Sequence, residues 1–211
     1  MIPKRKVSSF VAKHQDFFKN NKLSFFEMTV GLAFHYFAQS KVDIAIIEVG
    51  LGGRLDSTNI ISPELSVITN IGLDHTQFLG TTLEEIAKEK AGIIKAGVPV
   101  IVGQTQPEIQ TIFSETSSEK RALLKFADAH FRAELLQRNF FTADYRIWKN
   151  QKVWLENLTV DLPGSYQQHN LATALGALDQ LQRMGWAVET EHFLAGFQNV
   201  RKNTGLRGRW E

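Results

Sequence analysis

Cysteine is absent from this 211-residue sequence. Its absence excludes disulfide bonds, thiolate metal sites and cysteine nucleophiles, and it is compatible with a reducing compartment. No apolar run approaches the roughly 20 residues of a membrane-spanning helix. The basic start of the chain also lacks the apolar stretch of a secretory signal. We therefore expect a cytoplasmic protein that does not bind a membrane.

A strong excess of charge is also missing, because 24 Lys and Arg residues face 22 Asp and Glu residues, for a net charge of +2. The basic residues are dispersed along the chain, so no electrostatic argument favours nucleic acid as a partner. The apolar fraction of 43% is ordinary for a globular protein.

Several short catalytic patterns are missing as well: the Walker A loop, HExxH, the EF-hand loop and GxSxG. Gly50, Gly52 and Gly53 superficially suggest a dinucleotide-binding loop. That fingerprint opens directly into a helix, whereas residues 54–63 here are polar and reach Pro63 without one. We therefore reject an NAD-dependent oxidoreductase; a simple turn remains the alternative for these glycines.

The first forty residues are predicted to form two helices that are separated near Asn20 and Asn21. Ser24 followed three residues later by Glu27 is typical of a capping box. We expect the aromatic side chains of the second helix to pack in a core, and these are Phe25, Phe26, Phe34, Tyr36 and Phe37.

Short apolar runs ending in glycine predict buried parallel strands at residues 42–50, 65–72 and 98–103. A helix is predicted at 81–97, with Thr81 or Thr82 as its cap. This order is typical of a parallel α/β sheet with right-handed crossovers.

The rest of the chain is predicted to form a helix at 107–124, short strands from 127 to 161 and helices at 167–186 and 188–200. A hairpin is expected around Asn150 and Gln151. The predicted fold class is thus α/β, a mostly parallel sheet flanked by helices with a small antiparallel β portion, in one compact domain.

Polar loops follow the first two predicted strands, at residues 48–59 and 70–75. Ligands of an open parallel sheet bind beyond the carboxyl ends of its strands, so we expect Glu48 and His75 to approach each other. A loop salt bridge with Arg54 is the alternative for Glu48, and a structural histidine is the alternative for His75. From the sequence around it alone, Lys90 is predicted to be a surface lysine.

Several longer segments together resemble folylpolyglutamate synthase and dihydrofolate synthase, members of the Mur ligase superfamily. They occur in the family's order and are SFFEMT (24–29), EVGLGGRLDSTN (48–59), ITNIGLDHTQFLG (68–80), IAKEKAGIIK (86–95), HNLATA (169–174) and GRWE (208–211). The resemblance implies an ATP-dependent ligase that joins L-glutamate to folate or dihydropteroate through an acyl phosphate. Its cofactors would be ATP and Mg²⁺.

The resemblance also implies roles for single residues. Glu48 and His75 would be Mg²⁺ ligands, with His75 also catalytic. Lys90 matches the lysine that is carbamylated in this superfamily, which converts a cation into an anionic oxygen ligand. Mg²⁺ prefers oxygen, so a histidine ligand needs carboxylate-type neighbours.

For the nucleotide, Asn170 resembles the asparagine that contacts adenine, and Arg209 the arginine that contacts the ATP phosphates. Ser24, Phe25 and Phe26 would border the substrate pocket.

The family pattern includes a P-loop of the type GTNGKGS before SFFEMT and a further domain after GRWE. We therefore expect residues 1–211 to be the central ATP-binding domain, without the N-terminal strand, the P-loop and the C-terminal domain. Alone it should bind ATP weakly and lack ligase activity. The full-length enzyme is expected to be a monomer, whereas the fragment is expected to self-associate through an exposed sheet edge.

Two other functions stay open. One is a cell-wall ligase of the Mur type, and the other is a non-catalytic binding or scaffold remnant, which the missing P-loop would favour. The resemblance covers dihydrofolate synthase, polyglutamate synthase and enzymes with both activities.

Overall fold

The computed structural model describes residues 1–206, and the chain divides into two compact units. The first unit, Met1–Ile61, contains helix α1 (Lys4–Asn21), helix α2 (Phe25–Ser40) and a short 3₁₀ turn at Ser57–Ile60. The second unit begins at Ser62 and contains all the strands that the structure describes.

The predicted break between α1 and α2 is confirmed, as is the capping box. The Ser24 hydroxyl accepts a hydrogen bond from the Glu27 amide, at 3.2 Å, and the Glu27 carboxylate accepts one from the Ser24 amide, at 2.7 Å. These two bonds satisfy amide groups that the start of a helix leaves without intrahelical partners. The two helices also meet through side chains, since the Phe10 ring lies 5.2 Å from the His35 ring.

The predicted strand at residues 42–50 is wrong. This segment is irregular, and Ile46 is 94% exposed. A strand becomes stable only when a neighbouring strand pairs with its backbone, and Met1–Ile61 contains no strand. Glu48 therefore does not close a buried strand.

Three short parallel strands form the first sheet of the second unit. They are β1 (Ser66–Ile68), β2 (Val100–Val102) and β3 (Leu124–Phe126), in the order β1-β2-β3. Ser66 pairs with Val100, and Val100 pairs with Leu124. The predictions for β1 and β2 are confirmed, but β3 was missed.

Three helices connect these strands: α3 (Thr76–Leu79), α4 (Leu83–Ala91) and α5 (Gln110–Glu119). Thr82 caps α4 and makes a capping box with Glu85, and α4 ends earlier than the predicted 81–97. Together with the strands, these helices bury one apolar core, which includes Ile68, Ile86, Val100, Val102, Ile109 and Phe113.

A second, antiparallel sheet follows, formed by β4 (Phe131–Arg138), β5 (Ala143–Lys149) and β6 (Lys152–Val160). The predicted hairpin is confirmed. Asn150 and Gln151 both adopt positive φ, 48° and 65°, as expected for a type I′ turn, which matches the twist of the two strands. The antiparallel sheet is larger than the small portion we expected.

Helix α6 (Gln167–Arg183) covers the antiparallel sheet and is followed by α7 (Thr190–Gln198) and α8 (Val200–Thr204). The two predicted C-terminal helices are thus confirmed, although Glu189 rather than Thr190 caps α7. A second apolar core lies here, and it includes Phe131, Tyr145, Ile147, Leu158, Leu175 and Phe193.

The predicted fold class is confirmed: a parallel sheet, an antiparallel sheet and flanking helices. Within residues 1–206, no helix has the length and apolar character that would let it traverse a bilayer.

Candidate functional site

The loops that leave the carboxyl ends of β1 and β2 are joined by one side chain. The Gln106 side chain accepts a hydrogen bond from the Ile71 amide, at 2.9 Å, and donates one to the Ile71 carbonyl, at 3.0 Å. Both groups of the amide side chain therefore hold the β1 loop against the β2 loop. The sequence analysis missed Gln106; its position in the polar run directly after β2 was the available signal.

A second bridge joins the β2 loop to the end of β3. The Asp128 carboxylate accepts hydrogen bonds from the Thr105 amide and from the Thr105 hydroxyl, both at 2.7 Å. All three loops at the carboxyl edge of the parallel sheet are thus tied together by side chains. Such cross-links preorganise an edge at which ligands of parallel sheets bind.

Helix α6 meets the same edge at Gly103, directly after β2. A Cβ atom at position 103 would overlap the Thr69 carbonyl oxygen and the Thr173 hydroxyl. Glycine therefore allows α6 and the β1 loop to approach the end of β2. Asn170 lies one helical turn before Thr173 and is therefore near this edge. Its side chain is exposed, and its Nδ2 donates a hydrogen bond to Gln167 Oε1, at 3.1 Å.

His75 begins α3 in the left-handed conformation, with φ 51° and ψ 36°. Few non-glycine residues adopt this conformation, and those that do are found disproportionately at functional sites. The His75 side chain is 54% exposed, and its Nε2 lies 3.8 Å from Asp74 Oδ2. An exposed imidazole and a carboxylate thus lie side by side at the start of α3.

Lys90 lies in the last turn of α4, and α4 packs against α3. Lys90 is half-buried, whereas Lys88, two residues earlier, is exposed. Lys90 is thus less exposed than its neighbour on the same helix.

Glu48 belongs to the first unit and is exposed. The loop that follows it is organised by Asp56, which accepts hydrogen bonds from the Gly50 and Leu51 amides, at 3.0 and 2.9 Å, and from the Thr58 amide and hydroxyl. Partial burial raises the pKa of Asp56, but the hydrogen bonds from Thr58, Leu51 and Gly50 together outweigh it, so the pKa is lowered. Sequence reasoning did not single out Asp56.

The candidate substrate residues also lie in the first unit. Phe25 is 82% exposed and Phe26 is 41% exposed, so the expectation that both pack in a core is wrong. The Phe26 ring nevertheless lies against Gly50, where it would overlap any added Cβ atom. The Ser24 hydroxyl caps α2 by accepting a hydrogen bond from the Glu27 amide.

Of the predicted site residues, His75 and Asn170 are thus placed at the carboxyl edge of the parallel sheet by the loops and by α6. Arg209 lies outside the described residues. The part of the chain that is described contains no group of three or more His, Asp or Glu side chains that could hold a metal ion. The pairing of Glu48 with His75 and a modified Lys90 stays a prediction.

Comparison with known protein families matches residues 6–178 to the Mur ligase middle domain. The chain is 41% identical over 161 residues to a dihydrofolate synthase/folylpolyglutamate synthase of Bacillus subtilis, an alignment that covers 75% of this chain and 37% of the relative.

Solved structures of folylpolyglutamate synthases are also similar to this chain. The apo form of Lacticaseibacillus casei folylpolyglutamate synthase superimposes with a TM-score of 0.83 at 30% identity, covering 93% of this chain and 50% of that one. A folylpolyglutamate synthase in complex with AMPPCP and folate gives a TM-score of 0.81 at 31% identity, covering 92% and 48%. The chain therefore spans half or less of the length of these relatives. Since the middle-domain match covers most of the sequence, the chain belongs to the Mur ligase family.

Proposed function

We propose that the chain is the central part of an enzyme that ligates L-glutamate to folate or dihydropteroate, using ATP and an acyl-phosphate intermediate. The observation that carries this proposal is the likeness to a structure in complex with AMPPCP and folate, at 31% identity across 92% of this chain. AMPPCP is an analogue of ATP, so two of the three proposed ligands, ATP and folate, have counterparts in that relative. ATP use also favours a cytoplasmic enzyme.

The residues to which we assign roles are His75, Asn170 and Lys90 in the second unit and Glu48 in the first. Asn170 would contact adenine, and Arg209 the phosphates. Mg²⁺, when bound, would neutralise phosphate charge, and Glu48 and His75 would hold it. Carbamylation would turn the half-buried Lys90 into an anion, which a cation site accepts more readily than an ammonium group.

The proposed role for residues 1–211 is the central ATP-binding domain. Because this sequence contains no Walker A loop, its proposed phosphate contacts lack the backbone amides and lysine that such a loop supplies. We expect the 211-residue chain alone to bind ATP weakly and to show no ligase activity.

A chimera tests the proposal. Residues 6–178 replace the matching segment of the Bacillus subtilis relative, and ATP-dependent addition of glutamate is measured with dihydropteroate, tetrahydrofolate and a UDP-linked muramyl substrate. We expect activity with a pteridine substrate and none with the muramyl compound. Activity should fall at least about 100-fold in Lys90→Ala, because the loss of a group that supports the metal removes several kcal/mol of stabilisation.

Lys88→Ala is the matched control, since Lys88 lies on the same helix and is exposed; its activity should be unchanged. A chimera that folds, as judged by circular dichroism and cooperative melting, but adds no glutamate would contradict the proposal. Activity with the muramyl substrate alone would assign the chain to the cell-wall ligases instead.

A further inference from the structure

A pocket of about 250 Å³ lies in the second unit and is lined by residues of both sheets and of α6. Its floor is Ile101, at the middle of β2, and its walls come from β3, the β5–β6 turn and the second half of α6. Gly176 lines it where α6 passes closest to Ala127. The volume holds a small ion or a few waters rather than a nucleotide.

Three cations line this pocket, and two of them pair with the same carboxylate. Lys149 Nζ lies 2.8 Å from Asp179 Oδ1, and Arg183 Nε lies 2.8 Å from Asp179 Oδ2. Lys125 completes the set, and its Nζ donates to Gln180 Oε1 at 2.8 Å. Among the described residues that line the pocket, Asp179 is the only acidic one, so positive charge is left in excess by two.

The cations are held in place by more than Asp179. Lys149 lies over the rings of Phe131 and Trp154, with its Nζ 5.5 and 5.1 Å from the ring centroids. Partial burial lowers the pKa of Lys125, and so does repulsion by Arg183 and Lys149, against a smaller opposing attraction from Asp179. The three cations therefore repel one another, and a bound anion would reduce this repulsion.

A purely structural ion pair between β5 and α6 would need one cation, and Lys149 with Asp179 already provides it. Arg183 pairs with the same carboxylate and Lys125 with the neutral Gln180 side chain, so these two cations bring no further negative charge with them. His130 and Asn150 add polar groups on the opposite wall, with His130 Nδ1 3.0 Å from Asn150 Oδ1. An excess of two charges matches a dianion, and guanidinium and ammonium groups are the usual partners of phosphate oxygens.

We infer that this pocket binds a phosphate dianion, either free phosphate or the phosphate group of a small monoester, at a place distinct from the proposed ligase site. Arg183 and Lys149 would each contribute a charge-assisted hydrogen bond to it, and Asp179 would compete with it for the same cations.

Inorganic phosphate is the probe for the test. It is titrated into the 211-residue chain at fixed ionic strength, with chloride as the balancing ion, while the amide resonances of Asn150 and Gly176 are followed by NMR. We expect saturable shifts at both amides. Arg183→Gln should weaken binding about tenfold, because it removes a charge-assisted hydrogen bond. The Arg183 side chain is 61% exposed, so this variant should keep its fold.

Two further variants test whether phosphate binds at this pocket rather than to surface charge in general. Asp179→Asn removes the competing carboxylate and should tighten binding, the opposite direction from Arg183→Gln. Lys120→Gln removes the same charge from an exposed position after α5, outside the pocket, and should leave affinity unchanged. If Asp179→Asn does not fold, the Arg183 and Lys120 variants decide the question between them.

No saturable shift, or equal weakening by Arg183→Gln and Lys120→Gln, would overturn the inference, since general surface charge would then explain any binding. A parallel titration with glycerol phosphate separates the two sources of the ligand. Tighter binding of the ester assigns the pocket to a phosphorylated metabolite, and tighter binding of inorganic phosphate assigns it to the free ion.

Discussion

At the scale of single residues, Asp56 and Gly103 hold two loops by different means. Asp56 gathers amide groups of its own loop with its carboxylate. Gly103 lets the chain pass between the Thr69 carbonyl and Thr173 because it has no side chain. The glycine-rich loop around Asp56 was visible in the sequence. The role of Gly103 was not, since it depends on residues far along the chain.

Gly103→Ala should destabilise the second unit by about 1–3 kcal/mol, because the added methyl group overlaps a backbone oxygen that cannot move without disturbing β1. Urea unfolding followed by circular dichroism measures the change. Gly72→Ala is the matched control, since open space surrounds the Cβ position there. Equal losses in the two variants would contradict the packing argument.

The Asp56 carboxylate should make stability depend on pH in the acid range. Its pKa is lowered in the folded state, so its contribution is present above the ordinary value of about 3.9 and is lost as the pH falls through the lowered pKa. Asp56→Asn should cost about 1–3 kcal/mol at pH 7 and progressively less towards pH 2.

Hydrogen exchange at the Gly50 and Leu51 amides is the measurement, because both donate to Asp56. Unchanged protection of these amides in Asp56→Asn at pH 7 would show that the carboxylate does not organise the loop.

At the scale of elements, patterns that depend on neighbouring residues predicted the structure well. The capping box of α2, the cap of α4 at Thr82 and the Asn150–Gln151 turn need only local sequence. Strands depend on distant partners instead. The apolar run at 42–50 does not form a strand, and β3 was missed because it is three residues long with Lys125 at its centre.

Thr82→Ala should destabilise α4 by about 1 kcal/mol, because the Glu85 amide loses its capping partner, at 3.2 Å. The shift in melting temperature of the chain measures this. Thr81→Ala, one residue earlier, is the control and should change the melting temperature less. A larger effect of Thr81→Ala would identify that residue as the working cap.

At the scale of the whole molecule, the sequence predicted some features of the candidate site and not others. Ordered motifs predicted the family, and the strand pattern predicted that His75 follows a parallel strand at the carboxyl edge of the sheet. They did not reveal the side chains that tie that edge together, such as Gln106 and Asp128, because hydrogen bonds between loops leave no periodic pattern.

The exposed apolar segment at 42–49 should promote self-association of the chain. Ile44 and Ile46 are 55% and 94% exposed, and unpaired apolar segments of this kind attract further copies. Ile46→Lys should lower the association measured by sedimentation velocity at high concentration, whereas Ile60→Lys, at another exposed isoleucine, should lower it less. A chain that stays monomeric at all concentrations would contradict the prediction.

The antiparallel sheet has a consequence for how the chain folds. Its strands β4, β5 and β6 are consecutive and joined by short turns, so each pairing closes only a small loop. The parallel strands are each separated by a helix, and their pairing must wait for longer closures. The meander and α6 are therefore expected to form early and to offer a surface on which the slower parallel sheet assembles.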